Sequence, residues 1–135
     1  MNYQKHRSEE SVEDYLETIL ILSSKMSYVR SIDVANELGY SKPSVSIAMK
    51  NLKQKEYVTV SDEGHIHLTK SGRALAEKIY ERHSVLSSWL ISLGVDRDVA
   101  LEDACRMEHD MSSESFAAIK KCIESMGTDD IARKQ

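Results

Sequence analysis

Hydrophobic side chains recur at helical spacing along most of the chain, and the pattern predicts a mainly α-helical fold. Apolar positions three and four residues apart indicate a first amphipathic helix over residues 9–26. A long helix follows Thr69, its predicted N-cap, and ends at Gly94. Two further amphipathic helices are predicted over residues 97–111 and 113–126.

Two short helices between these segments form a helix-turn-helix pattern. Ser31 is the expected N-cap of the first, which Gly39 ends in a left-handed conformation. Ser41 caps the second, which carries Pro43 in its first turn and extends to about Lys55. A pair of short helices joined by a tight glycine-containing turn is typical of DNA-binding domains.

The segment after the second short helix changes to the alternation that is typical of strands. Val58 and Val60 alternate with polar residues, the segment Ser-Asp-Glu-Gly makes a turn, and Ile66 and Leu68 alternate again. This predicts a β-hairpin with four or five residues in each strand, which is a wing. The predicted fold is therefore a winged helix-turn-helix over residues 1–73, followed by a helical domain over 74–127 and a flexible tail over 128–135.

Composition fits a folded protein that does not cross a membrane. The chain has 135 residues, 41% of them hydrophobic, and its longest apolar run covers only residues 19–22. Its first residues are polar and carry no signal-peptide pattern. The two cysteines, Cys105 and Cys122, are too few for a disulfide framework. We expect reduced thiols and a cytoplasmic location.

The net charge of −4 is unevenly distributed. Residues 41–55 contain four lysines and no acid, whereas residues 9–17 contain five acids. The basic segment fits phosphate and the acidic segment fits a cation, although both patterns also suit solvated helix faces.

The second short helix, from Ser41 to about Lys55, is the third helix of the chain. Its outward face carries small, polar and basic residues, which suit the major groove of double-stranded DNA. The serines donate to phosphate or base edges, Ile47 contacts a thymine methyl group, and the lysines bind the backbone. These residue types do not specify an operator sequence. The candidates for the DNA contact are Ser41, Lys42, Pro43, Ser44, Ser46, Ile47, Lys50 and Lys53.

Residue types that bind transition metals occur on three of the predicted helices. Cys105, Glu108 and His109 are three and four residues apart and share one side of a helix. Asp14 and Glu17 share a face of the first helix, and His83 lies on the apolar side of the long helix. Each residue also has an ordinary structural explanation: a buried thiol, helix N-terminal acids, or a hydrogen-bonded core histidine.

The motifs together resemble the diphtheria-toxin-repressor family, and within it the manganese-transport-regulator branch. The resemblance implies a metal-activated dimeric repressor, here expected in a short form without the SH3-like domain of many relatives. It rests on EDYLETI (13–19), SKPSVS (41–46), LTKSGR (68–73), ERH (81–83) and DACRMEHDMS (103–112).

The resemblance also implies the metal ligands and their origin on three helices. Cys105 matches the iron branch, whereas Asp14 and Glu17 match the manganese branch, so the chain is a hybrid. Ser87 and Leu101 replace ligands of the ancillary site known in the iron branch. The implied ligands are Asp14, Glu17, His83, Cys105, Glu108 and His109.

One or two ions of Fe(II) or Mn(II) per subunit are expected, with a slight preference for Fe(II), while Zn, Co or Ni are possible surrogates. Without metal, the clustered acids would repel one another. Bound metal would hold the first helix in place and would thereby set the orientation of the helix-turn-helix. The wing histidines, His65 and His67, match no family ligand and are expected to be exposed strand residues.

Homodimerisation is expected because the carboxyl-terminal helices carry more apolar surface than they can bury, at Trp89, Met107, Phe116 and Ile123. Three alternatives remain open: a winged-helix regulator with Cys105 as a redox switch, a constitutive DNA-binding or scaffold protein, and a helical metalloenzyme. The chain has no nucleophile–base pair and no glycine-rich phosphate loop, so we expect neither an enzyme nor a small organic substrate.

Overall fold

The computed structural model describes the backbone of residues 3–134 and the side chains of residues 12–126. The chain divides between Tyr80 and Glu81 into two compact units. The elements in order are α1 (Tyr3–Lys25), α2 (Ser31–Leu38), α3 (Lys42–Gln54), β1 (Val58–Val60), β2 (Ile66–Leu68), α4 (Lys70–Ser92), α5 (Arg97–Asp110) and α6 (Ser113–Lys134).

The predicted domain boundary and the division between the two units both lie in α4. The expected boundary at residues 73 and 74 lies near the start of α4, and the two compact units divide later in the same helix. The predicted flexible tail, residues 128–135, lies outside the described side chains and stays a prediction.

Helices α1, α2 and α3 and the hairpin enclose the core of the first unit. Leu16 and Ile19 of α1, Val34 of α2, and Val45 and Leu52 of α3 are each at most 1% exposed. Burying one such side chain stabilises the fold by roughly 1.5–3 kcal/mol. The helical spacing of these apolar residues therefore fixes which faces of α2 and α3 point outward.

Local capping sets the helix-turn-helix. Gly39 has φ +71°, which ends α2, and the Ser44 N–H donates to the Ser41 hydroxyl at 3.3 Å, which caps α3. Both features confirm the prediction. The prediction for Ser31 was wrong: Arg30 is the N-cap of α2, and its N–H donates to the Asp33 carboxylate at 2.9 Å.

The wing is a two-stranded antiparallel hairpin in which Val58 faces Leu68 and Val60 faces Ile66. Each strand has three residues, fewer than predicted, because the chain between them closes through Gly64, at φ +83°. The Ile66 N–H also donates to the Val29 carbonyl at 2.7 Å, so the segment before α2 lies beside β2.

The second unit has a smaller core. Leu86, Ala104 and Phe116 are buried there, and Trp89 and Met107 pack against them half-buried. Phe116 is therefore buried, contrary to the expectation of an unpartnered apolar surface, whereas Trp89, Met107 and Ile123 are half-buried. The exposed large apolar side chains of this unit are instead Ile91, Leu93, Val99 and Met126. In the described part of the chain, no helix is long and apolar enough to span a membrane.

Candidate metal centre and nucleic-acid interface

A fully buried carboxylate lies at the centre of the predicted ligands in the second unit. Glu108 of α5 is 0% exposed. Its Oε2 lies 3.1 Å from Nδ1 of His83 on α4, and its Oε1 lies 3.5 Å from Nε2 of His109. Burying a carboxylate costs free energy unless a cation or a hydrogen-bond donor accompanies it. The two imidazoles are the nearby groups that can donate to Glu108.

Cys105 completes a mixed donor set on the same side of α5. Its Sγ and a ring nitrogen of His109 lie within 4.8 Å of each other. Cys105 and His83 are half-buried, whereas the His109 side chain is only 5% exposed. The predicted spacing of Cys105, Glu108 and His109 thus brings them together with His83.

These donors fit a divalent transition metal. The buried Oε1 of Glu108 accepts no hydrogen bond among the described residues, so it retains a lone pair for an ion. Imidazole nitrogens, a carboxylate oxygen and a thiolate are the ligands that first-row metals accept. His83, Cys105, Glu108 and His109 are the residues that would hold such an ion in this unit.

Arg82, which the sequence analysis missed, fixes the backbone beside this cluster. Its Nη1 donates to the carbonyls of Glu108 and Met111, each at 2.9 Å, and its Nη2 donates to the Ser113 hydroxyl at 3.0 Å. The side chain is 6% exposed. The sequence does contain a sign of this role, because Arg82 is a charged residue at helical spacing from Ile79 and Leu86, on the apolar face of α4.

The remaining predicted ligands belong to the first unit. Asp14 and Glu17 lie three residues apart in α1, and both are half-buried. Between them along the chain, Tyr15 and Leu16 point into the core, at 5% and 0% exposure. The buried residues thus leave the two carboxylates on another side of α1, where i and i+3 side chains are neighbours.

The predicted DNA-contact residues share the exposed face of α3 and its cap. Val45, Met49 and Leu52 form the buried face of this helix. Ile47 is 65% exposed, an unusual place for a β-branched apolar residue and a suitable one for contact with a thymine methyl group. All eight predicted contact residues are exposed: Ser41, Lys42, Pro43, Ser44, Ser46, Ile47, Lys50 and Lys53.

Both halves of the chain match a described family. Residues 9–66 match the iron dependent repressor N-terminal DNA binding domain, and residues 69–133 match the iron dependent repressor metal binding and dimerisation domain. The chain belongs to the iron-dependent repressor family. The exposed face of α3 therefore lies in the family's DNA-binding domain, and the His83–Cys105–Glu108–His109 cluster lies in its metal-binding domain.

Individual members of the iron-dependent repressor family show the same likeness. The transcriptional regulator MntR of Salmonella typhimurium is 33% identical over 93% of this chain and 79% of its own length. The structure of the manganese regulator SloR has a TM-score of 0.75 at 28% identity, covering 84% of this chain and 53% of that one. The structure of a manganese-dependent transcriptional repressor in complex with manganese has a TM-score of 0.75 at 28% identity, covering 84% of this chain and 52% of that one. The chain thus spans about half the length of these solved structures.

One of the two wing histidines differs from the prediction. His67 is an exposed residue of β2, as expected. His65 precedes β2, is half-buried, and stacks on Tyr28 with 4.2 Å between ring centroids and 18° between planes. Its description as an exposed strand residue was therefore wrong.

Proposed function

We propose that this chain is a metal-dependent transcriptional repressor that binds double-stranded DNA as a homodimer and senses Fe(II) or Mn(II). The observation that carries the proposal is the buried Glu108 carboxylate between two imidazoles, one of which lies near the Cys105 thiol, in a segment that matches the family's metal-binding and dimerisation domain. The basic, exposed face of α3 supplies the contact with DNA. The cytoplasmic location stays a prediction.

The homodimer is supported by the surface of the second unit. Leu93 and Val99 are 64% and 48% exposed, and this unit matches the family's dimerisation domain. Apolar side chains left exposed on a small helical unit favour association with a second copy. A dimer places two recognition helices on successive major grooves, about one turn of DNA apart.

The proposed ligand set joins both units, with one or two ions bound per subunit. His83, Cys105, Glu108 and His109 come from the second unit, and the acids of α1, Asp14 and Glu17, complete the set. Support for the two acids comes from the resemblance of EDYLETI to the family and from their shared side of α1.

Control of DNA binding follows from the charge of these ligands. Asp14, Glu17, Glu108 and an ionised Cys105 carry four negative charges, which repel one another at close range. Two divalent cations would balance these charges, and one would balance half of them. The carboxylates of α1 then hold that helix, and with it the helix-turn-helix, in the arrangement that binds DNA.

The identity of the metal depends on Cys105. Carboxylates and imidazoles accept Mn(II) and Fe(II) alike, whereas a thiolate favours the softer ion. The similar proteins whose names mention a metal include manganese regulators, so we propose either ion, with Zn, Co or Ni as surrogates in vitro. The family match gives no support to Cys105 as a redox switch.

Selection from a random duplex library, with Mn(II), with Fe(II) under anaerobic conditions and with chelator, tests the proposal. We expect recovery of a duplex only with metal. For that duplex, Glu108→Gln should lower the Mn(II)-dependent affinity on the order of tenfold or more, because it removes an anionic ligand.

Glu102→Gln is the matched control, because Glu102 is a 66%-exposed acid of the same helix. It should retain wild-type affinity at every metal concentration. Binding that is equally tight with chelator would identify a constitutive DNA-binding protein, and recovery of no duplex would reject the DNA-binding function.

A further inference from the structure

The base of the wing carries a cluster of three side chains from two segments of the first unit. Nη2 of Arg30 lies 3.4 Å from Nε2 of His65, and the Tyr28 ring stacks on the face of the imidazole. The Ser61 hydroxyl accepts the His65 N–H at 3.1 Å, which fixes the backbone of this residue. We call Tyr28, Arg30 and His65 the wing-base cluster.

The tip of the wing is unsuited to DNA, whereas its base is suited. Asp62 and Glu63 are exposed in the turn, and their carboxylates repel phosphate. The cluster lies beside the N-terminus of α2, because Arg30 is the N-cap of that helix. In helix-turn-helix proteins this first helix crosses the DNA backbone, so the cluster lies on the side that phosphate approaches.

The contact between Arg30 and His65 requires a neutral imidazole. Nε2 accepts from the guanidinium only when it carries no proton, because both ring nitrogens are donors in the imidazolium. Protonation therefore places two cations 3.4 Å apart. If the two side chains move apart, a phosphate oxygen can accept from both and offset their repulsion.

Some groups near His65 favour a positive charge on its imidazole and others oppose it. Arg30 opposes a positive charge on the imidazole, whereas the Tyr28 ring face favours it. Glu63 also favours it: its own backbone amide, the Ser61 hydroxyl, and the charges of His65 and Arg30 hold the pKa of this carboxyl below its usual range. A phosphate anion at this position would also favour the charged form of the imidazole.

We propose that Arg30 and His65 form a proton-linked phosphate contact, in which binding of the DNA backbone is coupled to proton uptake by His65. This rests on the proposed DNA-binding function and extends it with a dependence on pH that the wing itself supplies. Because the bound state carries the extra proton, affinity for DNA is highest at low pH and falls as the pH rises.

The test measures affinity for the duplex selected above, with saturating Mn(II), between about pH 6 and pH 8. Metal binding itself depends on pH, so the quantity of interest is the difference between the wild type and His65→Gln, which share the same metal site. We expect the wild type to lose on the order of tenfold more affinity than the variant over this range.

The salt dependence distinguishes a phosphate contact from a structural role. At pH 6 the slope of log affinity against log salt should be steeper in the wild type than in His65→Gln by roughly one per subunit, and at pH 8 the slopes should agree. Arg30→Gln should lose affinity at both pH values.

His67→Gln is the matched control, since His67 is an exposed histidine two residues away in the same wing. It should follow the wild type throughout. If His65→Gln keeps the wild-type pH and salt dependence while still binding the duplex, the wing contact is wrong and the DNA-binding function stands. If no variant and not even the wild type binds, the failure lies with the proposed function instead.

Discussion

Glu56 has φ +62°, a left-handed conformation that costs a non-glycine residue of order 1 kcal/mol. Its carbonyl accepts from the Thr69 hydroxyl at 2.6 Å and from the Ser71 hydroxyl at 3.2 Å. The Gly72 N–H in turn donates to the Thr69 hydroxyl at 3.1 Å. The Leu-Thr-Lys-Ser-Gly-Arg segment thus fixes the turn from which the wing begins, and Gly72 allows α4 to approach it.

Gly72→Ala should destabilise the first unit. A Cβ at this position would lie 2.0 Å from the Tyr57 carbonyl oxygen, so backbone must move to accept it. We expect a loss at the upper end of ~1–3 kcal/mol in the free energy of unfolding, measured by urea denaturation. Lys78→Ala, an exposed change in the same helix, should stay within ~0.5 kcal/mol. Equal stability of the two variants would contradict the close approach.

At the scale of elements, the turn between α5 and α6 depends on a side chain from α4. Arg82 donates to two carbonyls at the end of α5 and to Ser113 at the start of α6, and it lies over the Phe116 ring at 5.3 Å. The carbonyl of Glu108 is one of its acceptors. Arg82 therefore holds the backbone of the residue that carries the buried carboxylate.

Arg82→Met should lower stability by ~2–4 kcal/mol, because the buried carbonyls lose a charged donor. It should also weaken Mn(II) binding, measured calorimetrically, and saturating Mn(II) should restore part of the lost stability by mass action. Arg73→Met is the control, since Arg73 lies in the same helix in an exposed pair with Glu77 and should change stability by less than ~1 kcal/mol. Unchanged affinity for Mn(II) in Arg82→Met would show that the turn does not position Glu108.

The elements that sequence predicts well are those with local causes. Gly39, Ser41 and Thr69 mark helix ends through contacts within four residues, and the structure has each of them as expected. The spacing of Cys105, Glu108 and His109 likewise predicts their shared side of α5. Arg82 and Phe116 could not be placed in this way, because their partners lie far along the chain and periodicity does not show which apolar residues meet.

At the scale of the whole molecule, the net charge of −4 is the sum of a basic segment, residues 41–55, and acidic segments such as residues 9–17. The basic segment suits an anion and the acidic segment suits a cation. The lysines of α3 attract phosphate directly. The acids proposed as metal ligands repel one another until a cation compensates them, so metal affinity and folding of that arrangement are linked. Under the proposed function, metal would therefore favour the DNA-binding arrangement by offsetting this repulsion.

Asp14→Asn and Glu17→Gln test whether α1 takes part in this response. Each removes one of the charges that a cation must offset, so we expect each variant to need on the order of tenfold more Mn(II) for half-maximal DNA binding. Glu13→Gln makes the same change of charge at a half-buried neighbour in α1 and should leave the midpoint unchanged. A metal titration followed by fluorescence anisotropy of the selected duplex gives all four midpoints. If Asp14→Asn and Glu17→Gln coincide with Glu13→Gln, the metal acts through the second unit alone, and α1 has no part in coupling metal to DNA.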